Sequence, residues 1–106
     1  MSNEKKSGYQ LFLEESPEIA QAFGGLISAL STEGSLDDKT RQLIYIGIRA
    51  SQMQPQAVVA HVPMAKMAGA TRDEIKDTIL MTLAVCGITG VTNCLVPALD
   101  AYDGVA

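Results

Sequence analysis

A stretch of 22 residues from Thr78 to Leu99 contains no charged side chain. A segment of this length and character is usually buried, either in a bilayer or in a protein core. Threonines, glycines and a proline interrupt it, and it is flanked by Asp77 and Asp100 rather than by the Lys or Arg that flank membrane spans. We therefore expect two buried helices joined at Gly87 and Gly90.

The composition favours a helical globular protein over other classes. Of the 106 residues, 47% are hydrophobic, 19% are charged and 5% are aromatic. The chain is thus too apolar to be disordered and poor in the aromatic residues of β-sandwich cores. We predict an all-α fold in one domain over residues 1–106, with residues 1–15 as an N-terminal extension or a short helix.

Charge and cysteine usage limit the partners and the compartment. The net charge is −4 and the Lys and Arg residues are scattered, so no nucleic-acid partner is expected. The N-terminal segment lacks the apolar core and cleavage site of a secretory signal, which predicts a cytoplasmic protein with no membrane partner. The two cysteines, Cys86 and Cys94, lack zinc-ligand spacing, so no protein-bound metal is expected, and a reducing compartment predicts no permanent disulfide.

Helix-boundary signals divide the first half of the chain. Ser16 and Pro17 are typical of an N-cap followed by a first helical residue, which predicts a helix to about Leu30. Acidic residues at 37 and 38 open the next helix, and Arg49 lies near its end, where a cation favours the helix dipole. The apolar residues of this second helix cover most of its circumference, which predicts a central position; they are Leu43, Ile44, Ile46, Ile48 and Ala50.

The second half has equally clear boundaries. A helix is predicted from Pro55 to about Ala68, with Gly69 supplying a left-handed cap. The segment 71–74 is a capping box for the next helix, in which Ile75, Ile79 and Leu83 are expected on one buried face with Leu80 and Ala84 beside them. A last helix is predicted to end near Tyr102. The whole pattern predicts a single bundle of five or six helices.

His61 is the only imidazole, and imidazole is the side chain best suited to exchange protons near neutral pH. Taken alone, a single histidine on an apolar helix is more often a core residue with a satisfied hydrogen bond. Pro63 lies in the same helix and lacks an N–H, so the carbonyl of Val59 loses its regular partner and a kink is expected beside the ring. Such a kink could open a cavity or have no functional meaning.

Three segments in this order resemble the carboxymuconolactone decarboxylase family, which includes alkylhydroperoxidase D. They are Leu-Asp-Asp-Lys-Thr-Arg-Gln-Leu-Ile (36–44), Ala-Val-Val-Ala-His (57–61) and Ala-Gly-Ala-Thr-Arg-Asp-Glu-Ile (68–75). The similarity covers roughly residues 36–99. It implies an all-helical, alkylhydroperoxidase D-like fold, assembly into trimers or hexamers, and a pocket around the histidine near subunit contacts.

The sequence departs from the family at reactive positions. The peroxidase branch has a Cys-x-x-Cys pair before the histidine and a glutamate on the preceding helix, whereas this chain has Gln54 and Ala57 in the pair and Gln42 in place of the glutamate. Without those thiols the usual peroxidase mechanism is excluded. The decarboxylase branch usually has acids before the histidine, where Gln54 and Gln56 stand here, so His61 would act alone as the proton carrier.

The resemblance therefore predicts a lyase-like enzyme. It would decarboxylate a small carboxylated or lactone metabolite, or perform related proton-transfer chemistry, without a cofactor. His61 is the expected general acid/base, with Gln42 as a second catalytic candidate. Tyr45 shares a helix face with Gln42 and is expected to bind substrate, as is Gln54, while Met64 or Met53 would form an apolar wall. Core roles for the tyrosine and the methionines are the plainer alternatives.

Two other functions remain open at this stage. One is an alkylhydroperoxidase-like, peroxiredoxin-related antioxidant protein that uses Cys86 and Cys94. On one straight helix those thiols would be about 12 Å apart, too far for a disulfide, although the glycine break could bring them closer. The other is a non-catalytic homo-oligomeric binding protein of the same fold.

Overall fold

The computed structural model describes residues 6–105, and these are helical without any strand, which confirms the all-α prediction. Six helices have eight or more residues and a seventh is a single turn. They are α1 (Gly8–Glu15), α2 (Pro17–Glu33), α3 (Asp38–Ser51), α4 (Pro55–Met67), α5 (Arg72–Leu80), α6 (Leu83–Cys86) and α7 (Thr89–Asp103).

Among the described residues, those up to Ser35 form one compact unit and those from Leu36 form a second. In the first unit, α1 begins with a capping box between Ser7 and Gln10, and α2 begins at Pro17 as predicted. Helix α1 lies within the predicted N-terminal segment 1–15, of which residues 1–5 lie outside the described part of the chain. A single domain over 1–106 stays a prediction.

The second unit contains one apolar core, to which α3, α4, α5 and α7 contribute. Small and β-branched side chains fill it, so that the helix backbones come close together. Its fully buried members include Ile46 and Ala50 of α3, Val58 and Val62 of α4, and Ile79 of α5. Helices α3 and α4 share the most extensive contact, and α4 carries His61.

Backbone caps fall where the sequence predicts them. The Thr71 hydroxyl accepts the Glu74 N–H and the Glu74 carboxylate accepts the Thr71 N–H, which confirms the capping box. Helix α4 ends in a Schellman turn in which Ala70 N–H donates to Ala65 and Gly69 has a φ of 103°. The glycine therefore supplies the predicted left-handed cap.

Two burial predictions are wrong. Helix α3 is not surrounded by protein, because Ile44 and Ile48 are 45% and 53% exposed in the single chain. Helix α5 ends at Leu80, where the hydroxyl of Thr82 donates to the Ile79 carbonyl, and the chain then turns. Leu83 therefore lies 46% exposed on α6 instead of continuing the buried face of Ile79.

The uncharged stretch 78–99 is divided among α5, α6 and α7. Within residues 6–105, no helix is long and apolar enough to cross a bilayer. The chain turns at Gly87 as predicted, but Gly90 has a different role. It is buried inside α7, and a Cβ there would lie 2.6 Å from the Thr82 hydroxyl and 3.0 Å from the Ala50 carbonyl oxygen.

Gly90→Ala is expected to lower the free energy of unfolding by about 1–3 kcal/mol, because the added methyl group must push the backbones of α3 and α7 apart. Gly47→Ala is the matched control. Its Cβ would meet only the Thr78 methyl at 3.4 Å, and alanine favours the helix by about 1 kcal/mol. Urea unfolding of both variants measures the difference, and equal stability would contradict the close approach of α7.

Candidate functional site

The site residues on α3 follow helical spacing. Gln42, Tyr45 and Arg49 are separated by three and four positions, which places them on one side of the helix. Ile46 and Ala50 of the same helix are fully buried in the core. The core contacts therefore fix α3 in the orientation that presents the polar residues towards α4.

His61 lies on α4 beside the core-facing residues Val58, Val62 and Ala65. Its ring is partly buried and touches two of the predicted residues. The Nδ1 atom is 2.9 Å from Gln42 Oε1, and the ring stacks on Tyr45 with centroids 3.7 Å apart and planes inclined by 24°. Because an amide oxygen can only accept, Nδ1 carries a proton and donates it, which leaves the Nε2 lone pair free in the neutral ring.

Gln54 joins the site through the turn between α3 and α4. Its backbone N–H donates to the Arg49 carbonyl and the Met53 N–H donates to Ala50, which is the pattern of a Schellman turn. Met53 occupies the left-handed position with a φ of 56°, where glycine is usual. This turn returns the side chain of Gln54 to the guanidinium of Arg49, 2.7 Å from Nη1.

Arg49 links these groups, and the sequence analysis did not include it among the site residues. Its Nε donates to the Tyr45 hydroxyl at 3.1 Å, and its Nη1 donates to Gln54 and, at 3.2 Å, to Gln52. The signal was present in the sequence, since Arg49 continues the spacing of Gln42 and Tyr45. Its place near the end of α3 predicts only a favourable interaction with the helix dipole.

Met64 and Met53 are both 48% exposed, and the apolar wall expected from them stays a prediction. An open depression of about 400 Å³ is lined by Gln54, Pro55, Gln56 and Ala57. Ala57 lies one helical turn before His61 on α4, and the imidazole itself is not part of the lining. Helix α4 continues through Pro63, which is exposed.

The electrostatics favour a neutral imidazole. Burial lowers the pKa of His61 from its ordinary value of 6.5, and the positive charge of Arg49 lowers it further. The cysteines are separate from this site. Cys94 is fully buried in the core and burial raises the pKa of its thiol, while Cys86 donates to the Thr82 carbonyl. Both are free thiols.

The described residues contain no group of three or more His, Cys, Asp or Glu side chains placed to hold a metal ion. The site chemistry thus consists of one imidazole, one guanidinium, a phenol and several amides. Such a set can bind an anion and transfer a proton, but its amides cannot replace a missing acid or thiolate.

A model of the carboxymuconolactone decarboxylase family matches residues 17–100 of the chain. The chain belongs to this family. The assignment agrees with the resemblance inferred from the three sequence segments, and it extends across α2 as well as the helices of the second unit.

Two relatives are similar to this chain over most of their length. An uncharacterised protein of Methanocaldococcus jannaschii is 30% identical over 83% of this chain and 86% of its own length. A second uncharacterised protein, from the cox locus of Paracoccus denitrificans, is 33% identical over 81% of this chain and 79% of its own length.

Two crystal structures share the fold. A ligand-free carboxymuconolactone decarboxylase family protein of Legionella pneumophila is 27% identical, with a TM-score of 0.78 over 90% of this chain and 84% of its own. A Burkholderia xenovorans protein, provisionally named a carboxymuconolactone decarboxylase, has a TM-score of 0.84 at 21% identity, covering 94% of this chain and 78% of its own. The second similarity concerns the fold alone.

The lowered pKa of His61 has a consequence for stability. The unfolded chain takes up a proton near pH 6.5, before the folded protein does, so the free energy of unfolding should fall as the pH drops from about 7 to about 5. The carboxylates whose pKa is lowered change the free energy of unfolding mainly below pH 5, since their ordinary pKa values are 3.8 and 4.5.

His61→Asn should remove this slope while keeping a polar group near Gln42. Denaturant unfolding of the two proteins at several pH values between about 5 and 7 provides the measurement. An unchanged slope in the variant would show that the histidine is not held in its neutral form.

Proposed function

We propose that this family member is an enzyme that decarboxylates, or transfers a proton on, a small carboxylated or lactone metabolite, with His61 as general acid/base and no cofactor. The observation that carries the proposal is the fixed imidazole. Gln42 holds Nδ1 at 2.9 Å and Tyr45 stacks on the ring, so Nε2 is the atom left to exchange protons.

The proposed chemistry makes modest demands on the protein. Loss of CO2 from a carboxylate beside a carbonyl or a lactone breaks the C–C bond and leaves its electron pair as an enolate. The protonated Nε2 of His61 then donates a proton to that carbon, and the neutral ring is reprotonated by water. A lowered pKa makes the imidazolium the stronger acid, which favours the transfer to carbon.

The thiol alternative has less support. A peroxide must reach a thiolate, but Cys94 is fully buried and its thiol has a raised pKa. Cys86 has no cationic neighbour among its hydrogen-bond partners, only the carbonyl of Thr82. A non-catalytic binding protein of the same fold is the remaining alternative, and it is distinguished by turnover.

His61→Asn is expected to lower kcat/KM for CO2 release from carboxymuconolactone by about 100-fold or more, because general acid catalysis typically contributes that factor. The wild-type rate should fall as the pH rises through the pKa of His61. Circular dichroism checks that the variant remains helical, and the Cys86→Ala, Cys94→Ala double variant is the control, with expected activity near that of the wild type.

Two results would contradict the enzymatic proposal. The first is turnover that survives in the asparagine variant. The second is the absence of CO2 release by the wild type from carboxymuconolactone and from open-chain β-keto acids. Loss of activity in the double cysteine variant, with its fold intact, would favour the thiol mechanism.

We also propose that the chain forms a homo-oligomer, as the family resemblance implies. Support comes from an exposed apolar groove of about 290 Å³ between α3 and the α5–α6 region. Its larger side chains are Ile44, Ile48, Met81 and Val85, all more than 40% exposed. Contiguous apolar surface of this kind is typical of protein–protein contacts, and a second copy of the chain is the proposed occupant.

Ile48→Glu should shift the protein towards monomer, because a carboxylate in the groove would lose its hydration on association. Met67→Glu is the control, since Met67 is 91% exposed and lies outside the groove. Sedimentation velocity measures both variants. A wild-type monomer, or an oligomer unaffected by the Ile48 substitution, would contradict this assembly.

A further inference from the structure

The guanidinium of Arg49 is bonded only to neutral oxygens. The other two arginines of the chain each pair with an aspartate, Arg41 with Asp38 and Arg72 with Asp103. Arg49 instead donates to one phenol and two amides, and no carboxylate of the described residues lies within ion-pair distance of it. Its charge is therefore not neutralised within residues 6–105.

Part of the guanidinium is still available. Among the hydrogen bonds of residues 6–105, Nε and Nη1 of Arg49 are used and Nη2 has no acceptor. A planar guanidinium is best matched by the two oxygens of a carboxylate, which form charge-assisted bonds about twice as strong as those to neutral groups. The amide oxygens of Gln52 and Gln54 occupy positions that an anion could take more favourably.

The space for such an anion lies beside Gln54, whose side chain accepts from the Arg49 guanidinium. Gln54 is exposed and lines the open depression that also includes Ala57. Ala57 precedes His61 by one turn on α4, and Tyr45 links the imidazole to Arg49, because it stacks on the ring and accepts from the guanidinium. A ligand carboxylate that replaces the Gln54 amide would thus reach Arg49, which Tyr45 connects to His61.

We propose that Arg49 binds a carboxylate group of the ligand and thereby couples anion binding to protonation of His61. The choice of a carboxylate rests on the proposed function, whereas the anion site rests on the unpaired guanidinium and the coupling on the contact of Tyr45 with both Arg49 and the imidazole. In this arrangement Arg49 is a positioning residue, because it holds the ligand and acts on the imidazole through charge.

The coupling follows from the charges that face the ring. On α3, Tyr45 contacts the imidazole and the positive charge of Arg49 opposes its protonation. Helix α7 also packs on α4, but the carboxylates of Asp100 and Asp103 are not among the groups that shift the pKa of His61. A bound carboxylate cancels the charge of Arg49, so one obstacle to protonation disappears. The empty site would then hold a neutral His61, and the anion would favour the imidazolium that the reaction requires.

The test uses the single histidine as its own reporter. The C2 proton of His61 is followed by NMR across pH in the full chain at constant ionic strength, with and without succinate, and with the neutral analogue succinamide. Succinate should raise the titration midpoint in the wild type and succinamide should not. By reciprocity, succinate should bind about five-fold or more tightly below the His61 midpoint than above it.

Variants of Arg49 separate charge from geometry. Arg49→Gln should raise the midpoint of the free protein and abolish its response to succinate. Arg49→Lys keeps the charge but loses the planar guanidinium that can bind both carboxylate oxygens. The His61 titration midpoint without succinate should therefore stay low, while succinate binds more weakly. Arg41→Gln is the matched control on the same helix, with a titration expected to equal that of the wild type.

Three results would overturn the inference. One is a wild-type midpoint that succinate does not move; another is a succinate response that survives in the Arg49→Gln variant. An equally large shift with sulfate would overturn the assignment to a carboxylate. None of these readouts needs turnover, so an inactive wild type with a succinate-dependent midpoint would contradict only the proposed enzymatic function.

Discussion

The packing of α3 against α4 is the contact on which the rest of the site depends. Small and branched side chains, Ile46 and Ala50 from one helix and Val58 and Val62 from the other, are fully buried in the shared core. Because such a core admits little change of volume, it fixes the rotation of each helix about its own axis. The polar face of α3 is thereby held against the imidazole, and a small rotation of either helix would separate the groups.

The chemistry around the imidazole depends on which hydrogen bonds each neighbouring side chain can accept or donate. Gln42 can only accept from Nδ1 through its oxygen, so it selects the tautomer without competing for the proton. Burial and Arg49 both favour the neutral ring. A redox member of the family would need thiols where Gln54 and Ala57 stand. In this chain the Gln54 amide is bonded to the Arg49 guanidinium, and the methyl group of Ala57 lines an open depression.

The turn at Met53 illustrates how local backbone geometry serves the site. A non-glycine residue in the left-handed region has a cost of about 1 kcal/mol or more. Here it allows the Gln54 N–H to reach the Arg49 carbonyl while the Gln54 side chain reaches the guanidinium of the same residue. The strained residue therefore directly precedes Gln54, whose side chain accepts from the guanidinium.

Local sequence determined the helices and their ends, because caps such as Thr71 with Glu74, and the left-handed turn at Gly69, involve neighbouring residues only. It also determined that His61 is the one imidazole available. Tertiary structure alone decided which faces meet. Periodicity shows that Gln42, Tyr45 and Arg49 share a side of α3, but not that this side meets His61, nor that Ile44 and Ile48 remain exposed. Those outcomes depend on how core volumes from helices distant in sequence fill one space, which no local pattern specifies.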